Sequence, residues 1–180
     1  MSIHDTVARL SDTARTRLEA LARRMDAEEL TWDEFHALAT TEAARRSSAA
    51  SSLAVLAVAA ELSRLTGRPR ATSTPRPEFD LEEHAYDAIT EQTGTQSFGL
   101  DPVAAMGIAG AAIVMAAYQS TTNRAMRDQG VSFYRRQVEH DACEICLDMA
   151  DIVLPTTHQQ WHHKGCRCVA VPVSENGADQ

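Results

Sequence analysis

The chain has 180 residues, a formal net charge of -8 and a pI near 5.3. This length suits one compact domain, or a helical body with a small appendage. The negative charge repels phosphate backbones and anionic lipid, so it disfavours a dedicated DNA-binding protein; contact with nucleic acid would need a local basic patch.

The N-terminal residues predict a helix and not a secretory leader, because no apolar core follows a basic start. Their apolar residues recur at spacings of three and four, which is typical of one buried stripe on an amphipathic helix. We therefore expect the chain to stay in a reducing compartment, with its cysteines as thiols or thiolates. The stripe comprises Ile3, Val7, Leu10, Ala14, Leu18, Leu21 and Met25.

A second helix is predicted to begin at Thr31, whose hydroxyl and the carboxylate of Glu34 can cap each other's backbone N–H groups. A helix-favouring run continues to Leu65, and Gly67 and Pro69 end it. Unbroken, this helix would be on the order of 50 Å long. The small residues in its middle suit either close helix packing or a kink.

Residues 68–79 contain three prolines and no hydrophobic period, which predicts an exposed connector. Asp80, with the glutamate three residues later, predicts the start of a short helix that ends at about Thr93. Asp101 is followed by proline, the preferred residue of a first helical turn, and an alanine-rich helix is predicted from there towards Gly130.

The alanine-rich helix also bears on membranes, because no charged residue lies between Pro102 and Asn123. Its strongly apolar part spans only sixteen residues, short of the roughly 20 that cross a bilayer. We therefore predict a buried helix and no membrane partner.

The stretches VSFYRRQV and CVAVPV are rich in β-branched and aromatic residues and predict two paired strands that flank the cysteines. The predicted fold is mainly α with a small α+β, zinc-ribbon-like module at the C-terminus. In chain order, the predicted segments are an N-terminal helical region at 1–67, the connector at 68–79, a helical region at 80–130, the metal-binding module at 131–173 and a disordered tail at 174–180.

All four cysteines lie in the predicted module. Cys143 and Cys146 form a C-x-x-C pair, the commonest way to present half of a tetrahedral zinc site, and His163 and Cys166 repeat that spacing. Cys168 makes a fifth donor for four positions, so the identity of the fourth ligand is open. Thiolate-rich, closed coordination is characteristic of structural zinc. We therefore predict a structural Zn²⁺ ion.

Other uses of the cysteines are less consistent with the sequence. Two disulfides would need an oxidising compartment, and a thioredoxin-like pair would need a βαβ context. Catalytic zinc signatures are missing, since the chain has neither H-E-x-x-H nor the deaminase pattern. We expect no enzyme; a zinc-dependent hydrolase or nuclease and a zinc-containing DNA-binding regulator are the alternatives.

Four arginines precede the cysteines with only Asp128 near them in the sequence. The favoured interpretation is that these arginines lie on the solvated surface of a helix and a strand. The less favoured interpretation is that they contact nucleic acid or an acidic face of another protein. They are Arg124, Arg127, Arg135 and Arg136.

The stretches FYRRQVEHDACEIC and HHKGCRCVAVPV resemble the C-terminal region of the phage minor head proteins named after the F protein of phage Mu. The preceding QSTTNRAMRDQGVSFYRR is similar to the forms found in phages of actinobacteria. Lys164 stands where that family usually has proline, but no proposed ligand is changed.

The resemblance implies a low-copy structural component of the virion head, assembled in the host cytoplasm and acting in head assembly or genome delivery. Its expected partners are the portal protein and the major capsid or scaffold protein. Contact with DNA and self-association through the helices are open at this point.

Overall fold

The structure, a computed structural model, describes residues 3–94, 101–138, 142–158 and 168–173, without the side chain of His4. Within these residues the protein is mainly helical, with a small antiparallel sheet in the C-terminal region, as the sequence predicts. The helices are α1 (Ile3–Asp26), α2 (Trp32–Thr66), α3 (Leu81–Gly94), α4 (Pro102–Asp128) and α5 (Glu144–Asp148), and the strands are β1 (Phe133–Gln137), β2 (Val153–Pro155) and β3 (Val169–Pro172).

Side-chain caps start three of the helices as predicted. The Thr31 hydroxyl accepts the N–H of Glu34 at 3.3 Å, and the Glu34 carboxylate accepts the N–H of Thr31 at 2.9 Å. The carboxylate of Asp80 accepts the N–H groups of Glu82 and Glu83 at 2.9 and 3.0 Å. The carboxylate of Asp101 accepts the N–H of Ala104 at 3.2 Å. These acceptors satisfy N–H groups that a helix start leaves without an internal partner.

Glycine ends two of the helices. Gly67 and Gly130 have φ values of 65° and 74°, the left-handed region that glycine adopts without a steric penalty. After Gly130, the N–H of Val131 returns to the carbonyl of Met126 at 2.9 Å. The 35 residues of α2 form one helix, so it is about 50 Å long.

Both α2 and α4 are long and apolar enough to cross a bilayer by length and composition. The sequence argument counted only a sixteen-residue apolar run as too short for a bilayer, and this was wrong, because the 27 residues of α4 contain an apolar stretch that is long enough to cross one. Of its most apolar stretch, 67% is buried inside the protein, against 39% for α2. The greater burial of α4 is typical of the core helix of a protein.

The chain divides into two compact units, each made of two separated segments. Unit 1 comprises Met1–Ala50 and Phe79–Ala117, and unit 2 comprises Ser51–Glu78 and Tyr118–Gln180. Both α2 and α4 therefore contribute one part to each unit.

Unit 1 has a core formed by α1, α3 and the unit 1 parts of α2 and α4. Gly110 permits the close approach of α1 and α4, because a Cβ there would lie 2.8 Å from the Leu18 side chain and 3.2 Å from the carbonyl oxygen of Ala14. The core consists of Leu18, Ala22, Phe35, Ala39, Ala43, Ala85, Ile89, Met106 and Ile113.

Unit 2 contains the sheet, in the order β2-β1-β3, with β1 antiparallel to both neighbours. The pairing of the two predicted strands is thus confirmed, whereas β2 was not predicted. The core of this unit consists of Val55, Val58, Leu62, Ala125, Met126, Tyr134 and Ala170.

The connector, residues 68–79, is largely exposed, as its composition predicts, and its part in unit 2 is held by hydrogen bonds. Gln129 donates to the carbonyl of Ala71 at 2.8 Å, and the N–H of Glu78 donates to the hydroxyl of Ser120 at 2.9 Å. This segment therefore follows a defined path along the C-terminal part of α4.

Candidate metal centre

The pairing of β1 with β3 joins the two halves of the cysteine segment. Its register sets Arg136 opposite Ala170 and Gln137 opposite Val169. Cys168 directly precedes β3, and Cys143 follows the end of β1 by six residues. The sheet thus brings the start of β3 to the strand that leads into the C-x-x-C turn.

The C-x-x-C turn forms the start of α5. Cys143 is the N-cap residue, with extended backbone at φ -67° and ψ 159°, and its carbonyl accepts the N–H of Leu147 at 3.0 Å. Cys146 lies in the helix and is only 1% exposed, whereas Cys143 is exposed. The tight turn predicted from the spacing is therefore present, with one cysteine inside and the other at the surface.

Cys146 and Cys168 form one buried cluster, although they are 22 positions apart in the sequence. Cys168 is 2% exposed, and Val138 and Ala142 pack against the pair. A cysteine from each half of the segment is thus brought to the same apolar interior, the arrangement that a zinc site linking both halves requires.

Arg136 lies beside this cluster. Its Nη1 donates to the Sγ of Cys146 at 3.5 Å, and the residue is 3% exposed. On β1, Tyr134 and Arg136 are buried while Arg135 and Gln137 are exposed, as the alternation of a strand requires. Hydrogen bonds to ligand atoms orient them around a metal, and a guanidinium beside a sulfur can serve in this way.

Gln119 of α4 fixes the backbone at the other cysteine. Its Nε2 donates to the carbonyl of Cys168 at 2.9 Å, and the residue is 2% exposed. Sequence reasoning missed this residue, because Gln119 begins a run of six polar residues, QSTTNR, and nothing local distinguishes it from the others. Arg136 and Gln119 together constrain Cys146 and Cys168 from two different elements.

The structure describes three of the five predicted ligands, Cys143, Cys146 and Cys168. His163 and Cys166 lie outside the described residues. Among the residues that are described, no three of His, Cys, Asp and Glu form a group that could hold a metal ion. The two buried sulfurs fit the chemistry of a zinc site, and the remaining ligands stay a prediction.

The four arginines of the predicted basic cluster have different surroundings. Arg127 forms an ion pair with Glu78 and donates to the carbonyl of Thr156 at 3.0 Å. Arg124 lies 4.0 Å from Asp128 on its own helix. The remaining two occupy opposite faces of β1, with Arg135 exposed and Arg136 buried at Cys146.

Two buried tyrosines and a paired glutamate have pKa values that their surroundings move away from neutrality. Burial raises the pKa of Tyr118 to about 12 and also raises the pKa of Tyr134. The hydrogen bond from Arg64 lowers the pKa of Glu61.

Comparison of the chain with protein-family models, with curated proteins and with solved structures gives no match. Functional inference therefore depends on the residues and their geometry.

Proposed function

We propose that this chain is a structural component of a phage head whose C-terminal module, residues 131–173, is closed by a structural zinc ion. The observation that carries the zinc assignment is the burial of Cys146 with Cys168 in one cluster. Thiolates of this kind bind zinc tightly, and a metal linking them would hold β3 to the C-x-x-C turn. In this proposal Cys143 and His163 supply two further donors, and Cys166 is the alternative to Cys168 for the fourth position.

The surroundings of the two cysteines support a structural and not a catalytic ion. Catalytic zinc keeps one coordination position open to water, whereas Cys146 and Cys168 are almost completely buried. The contacts from Arg136 and Gln119 restrict the same two residues. A thiolate-rich site of this kind is characteristic of a structural ion, which stabilises a fold.

The assignment to a phage head is supported by the resemblance to the Mu F-like minor head proteins. Long helices beside a small metal-stabilised module suit a protein that docks onto other head proteins. The proposed partners are the portal and the major capsid or scaffold protein, and the proposed location is the virion head after assembly in the host cytoplasm. Because the net charge is -8, retention beside packaged DNA would depend on a protein partner.

Elemental analysis of the native protein tests the metal. We expect about one zinc ion per chain, and removal by a chelator should lower the protection of β1 and β3 amides from hydrogen exchange. Separate Cys166→Ser and Cys168→Ser variants would identify the fourth ligand as the one whose loss weakens zinc binding more. A metal-free protein with unchanged amide protection in chelator would contradict the zinc assignment.

Mass spectrometry of purified virions tests the head assignment. The protein should be present at low copy number and should bind the portal protein encoded in the same genome. Portal and scaffold genes on either side of its gene would agree with this role. Absence from virions, together with metabolic genes as neighbours, would contradict it even if zinc were present.

A further inference from the structure

A groove of about 470 Å³ lies between α1 and α2 in unit 1. Its floor is apolar and includes Leu21 and Leu38, the latter 45% exposed. An exposed leucine at the base of a groove is a natural anchor point for an apolar side chain of a partner. The groove is lined by Arg17, Ala20, Leu21, Arg24, Leu38, Thr41, Glu42 and Arg45.

The groove carries net positive charge. Its one acid, Glu42, is already paired with Arg45 and with Arg46, both at 2.8 Å. Arg17 forms no ion pair with any residue that the structure describes. Arg24 pairs with Glu29 only at 3.4 Å, with both side chains at least half exposed, so that pair is weak. Arg17 and Arg24 are therefore available to an acidic partner.

A surface with complementary properties lies on α3 of the same unit. Glu83, Tyr86 and Asp87 lie at helical spacing and are all exposed, while Ala85 and Ile89 face the core. Tyr86 is 53% exposed, and neither Glu83 nor Asp87 forms an ion pair within the described residues. The sequence of α3 contains no Lys or Arg, so this face is acidic with an aromatic residue at its centre.

Tyr86 is held in place from behind. Its ring packs edge-on against His36 at 4.3 Å between centroids, and His36 contacts Trp32 at 5.5 Å. The buried His36 ring also forms a 2.9 Å hydrogen bond with the Thr90 hydroxyl. A pre-positioned tyrosine loses little conformational entropy on binding, which makes it a suitable interface anchor.

From this complementarity, we propose that the α3 face of one copy of the chain docks in the arginine groove of a second copy. Tyr86 would insert towards Leu38, and Glu83 and Asp87 would pair with Arg17 and Arg24. The two surfaces share no residue, so the contact is head-to-tail and builds rings or open chains, not only closed dimers. This inference does not rest on the proposed head function.

A second copy suits the groove better than nucleic acid. The negative charge of the whole chain opposes a phosphate backbone, and an apolar floor is of no use to phosphates. A single helix in a groove buries less than a standard interface, so we expect weak, concentration-dependent association that added salt reduces.

Sedimentation velocity across a concentration series, at about 50 mM and about 500 mM salt, measures this association. The wild-type protein should associate at low salt and dissociate at high salt. Arg17→Glu with Arg24→Glu should reduce association at least about tenfold, as should Glu83→Arg with Asp87→Arg. Arg9→Glu with Arg23→Glu is the matched control, because it makes the same charge change on α1 outside the groove and should leave association nearly unchanged.

The decisive experiment mixes the two charge-reversal variants. The first has an acidic groove and the second has a basic α3 face, so these two surfaces are complementary again. The mixture should therefore associate, while each variant alone stays monomeric. A wild-type protein that is monomeric at every concentration and salt would overturn the proposal. The proposal would also be overturned if the mixture failed to associate while circular dichroism showed that both variants are folded. Binding of DNA or of an unrelated acidic protein by a monomeric wild type would assign the groove to that occupant instead.

Discussion

The guanidinium of Arg136 donates to the thiol of Cys146 across 3.5 Å, and both residues are almost completely buried. A hydrogen bond from a guanidinium to an ionised acceptor is stronger than one to a neutral acceptor. A zinc-bound thiolate at Cys146 would therefore strengthen this contact, and the arginine would in turn orient the sulfur.

Replacement of Arg136 by methionine should therefore weaken zinc binding by about 10- to 100-fold, because the thiolate loses its hydrogen-bond donor. Competition with a chromophoric chelator measures the change. Arg135→Met is the control, since the neighbouring residue faces solvent on the same strand and should bind zinc like the wild type. Equal effects of the two substitutions would mean that general charge, and not this contact, governs affinity.

Gln119→Leu should destabilise unit 2 by about 1–3 kcal/mol, because the buried carbonyl of Cys168 would lose its donor. Urea unfolding of the zinc-loaded protein measures the loss. Gln129→Leu also removes a glutamine hydrogen bond to a carbonyl, but at an exposed position, and should change stability by less than about 1 kcal/mol. A similar loss in both variants would show that the buried hydrogen bond to Cys168 contributes no more to the free energy of unfolding than the exposed one.

Two glycines of α4 provide a matched pair. Gly110→Ala should destabilise the protein by about 1–3 kcal/mol, because the new Cβ would press on the backbone of Ala14 as well as on Leu18. Gly107→Ala would meet the side chain of Glu19 at 2.5 Å, so Glu19 must change rotamer and give up its ion pair with Arg15, but no backbone has to move. A gain of up to about 1 kcal/mol in helix propensity offsets part of that cost. Thermal unfolding should therefore show a larger loss for Gly110→Ala than for Gly107→Ala, and equal losses would contradict this account of the contact between α1 and α4.

The buried side chain of Tyr118 should lower the free energy of unfolding at alkaline pH. Burial raises its pKa from 10.0 to about 12, so the unfolded chain releases the phenolic proton first. Stability should be unaffected by this group below pH 10 and should fall by about 2 kcal/mol as the pH rises towards 12. Tyr118→Phe should remove this part of the decline in urea unfolding at a series of pH values. A decline as steep as that of the wild type would contradict the assignment to Tyr118.

The helices were predictable because their signals are local. Thr31 with Glu34, Asp80, and Asp101 before a proline each set a helix start through contacts within one turn. The end of α4 at Gly130 is equally local, since only its own backbone conformation is involved. Such features depend little on the rest of the fold.

The parts that were not predicted depend on contacts between distant segments. β2 has three residues and ends in proline, and it is a strand only through its pairing with β1. The sequence does not say which face of β1 packs on the core, and that face decides whether Arg135 or Arg136 is buried. Alternate residues of a strand share a face, so an aromatic residue at Tyr134 could have indicated that Arg136 is the buried one. The grouping of Cys146 with Cys168 likewise follows from the register of β1 with β3.

The interleaved composition of the two units limits how this protein can be dissected. The chain passes from one unit to the other at residues 50, 78 and 117, and the first and last of these passages lie inside α2 and α4. No single protease cut or stop codon can therefore release either unit whole. A fragment ending before α3 would lack part of the unit 1 core, and one beginning there would lack the α2 residues of unit 2. Domain shuffling by simple recombination would have to move both units together.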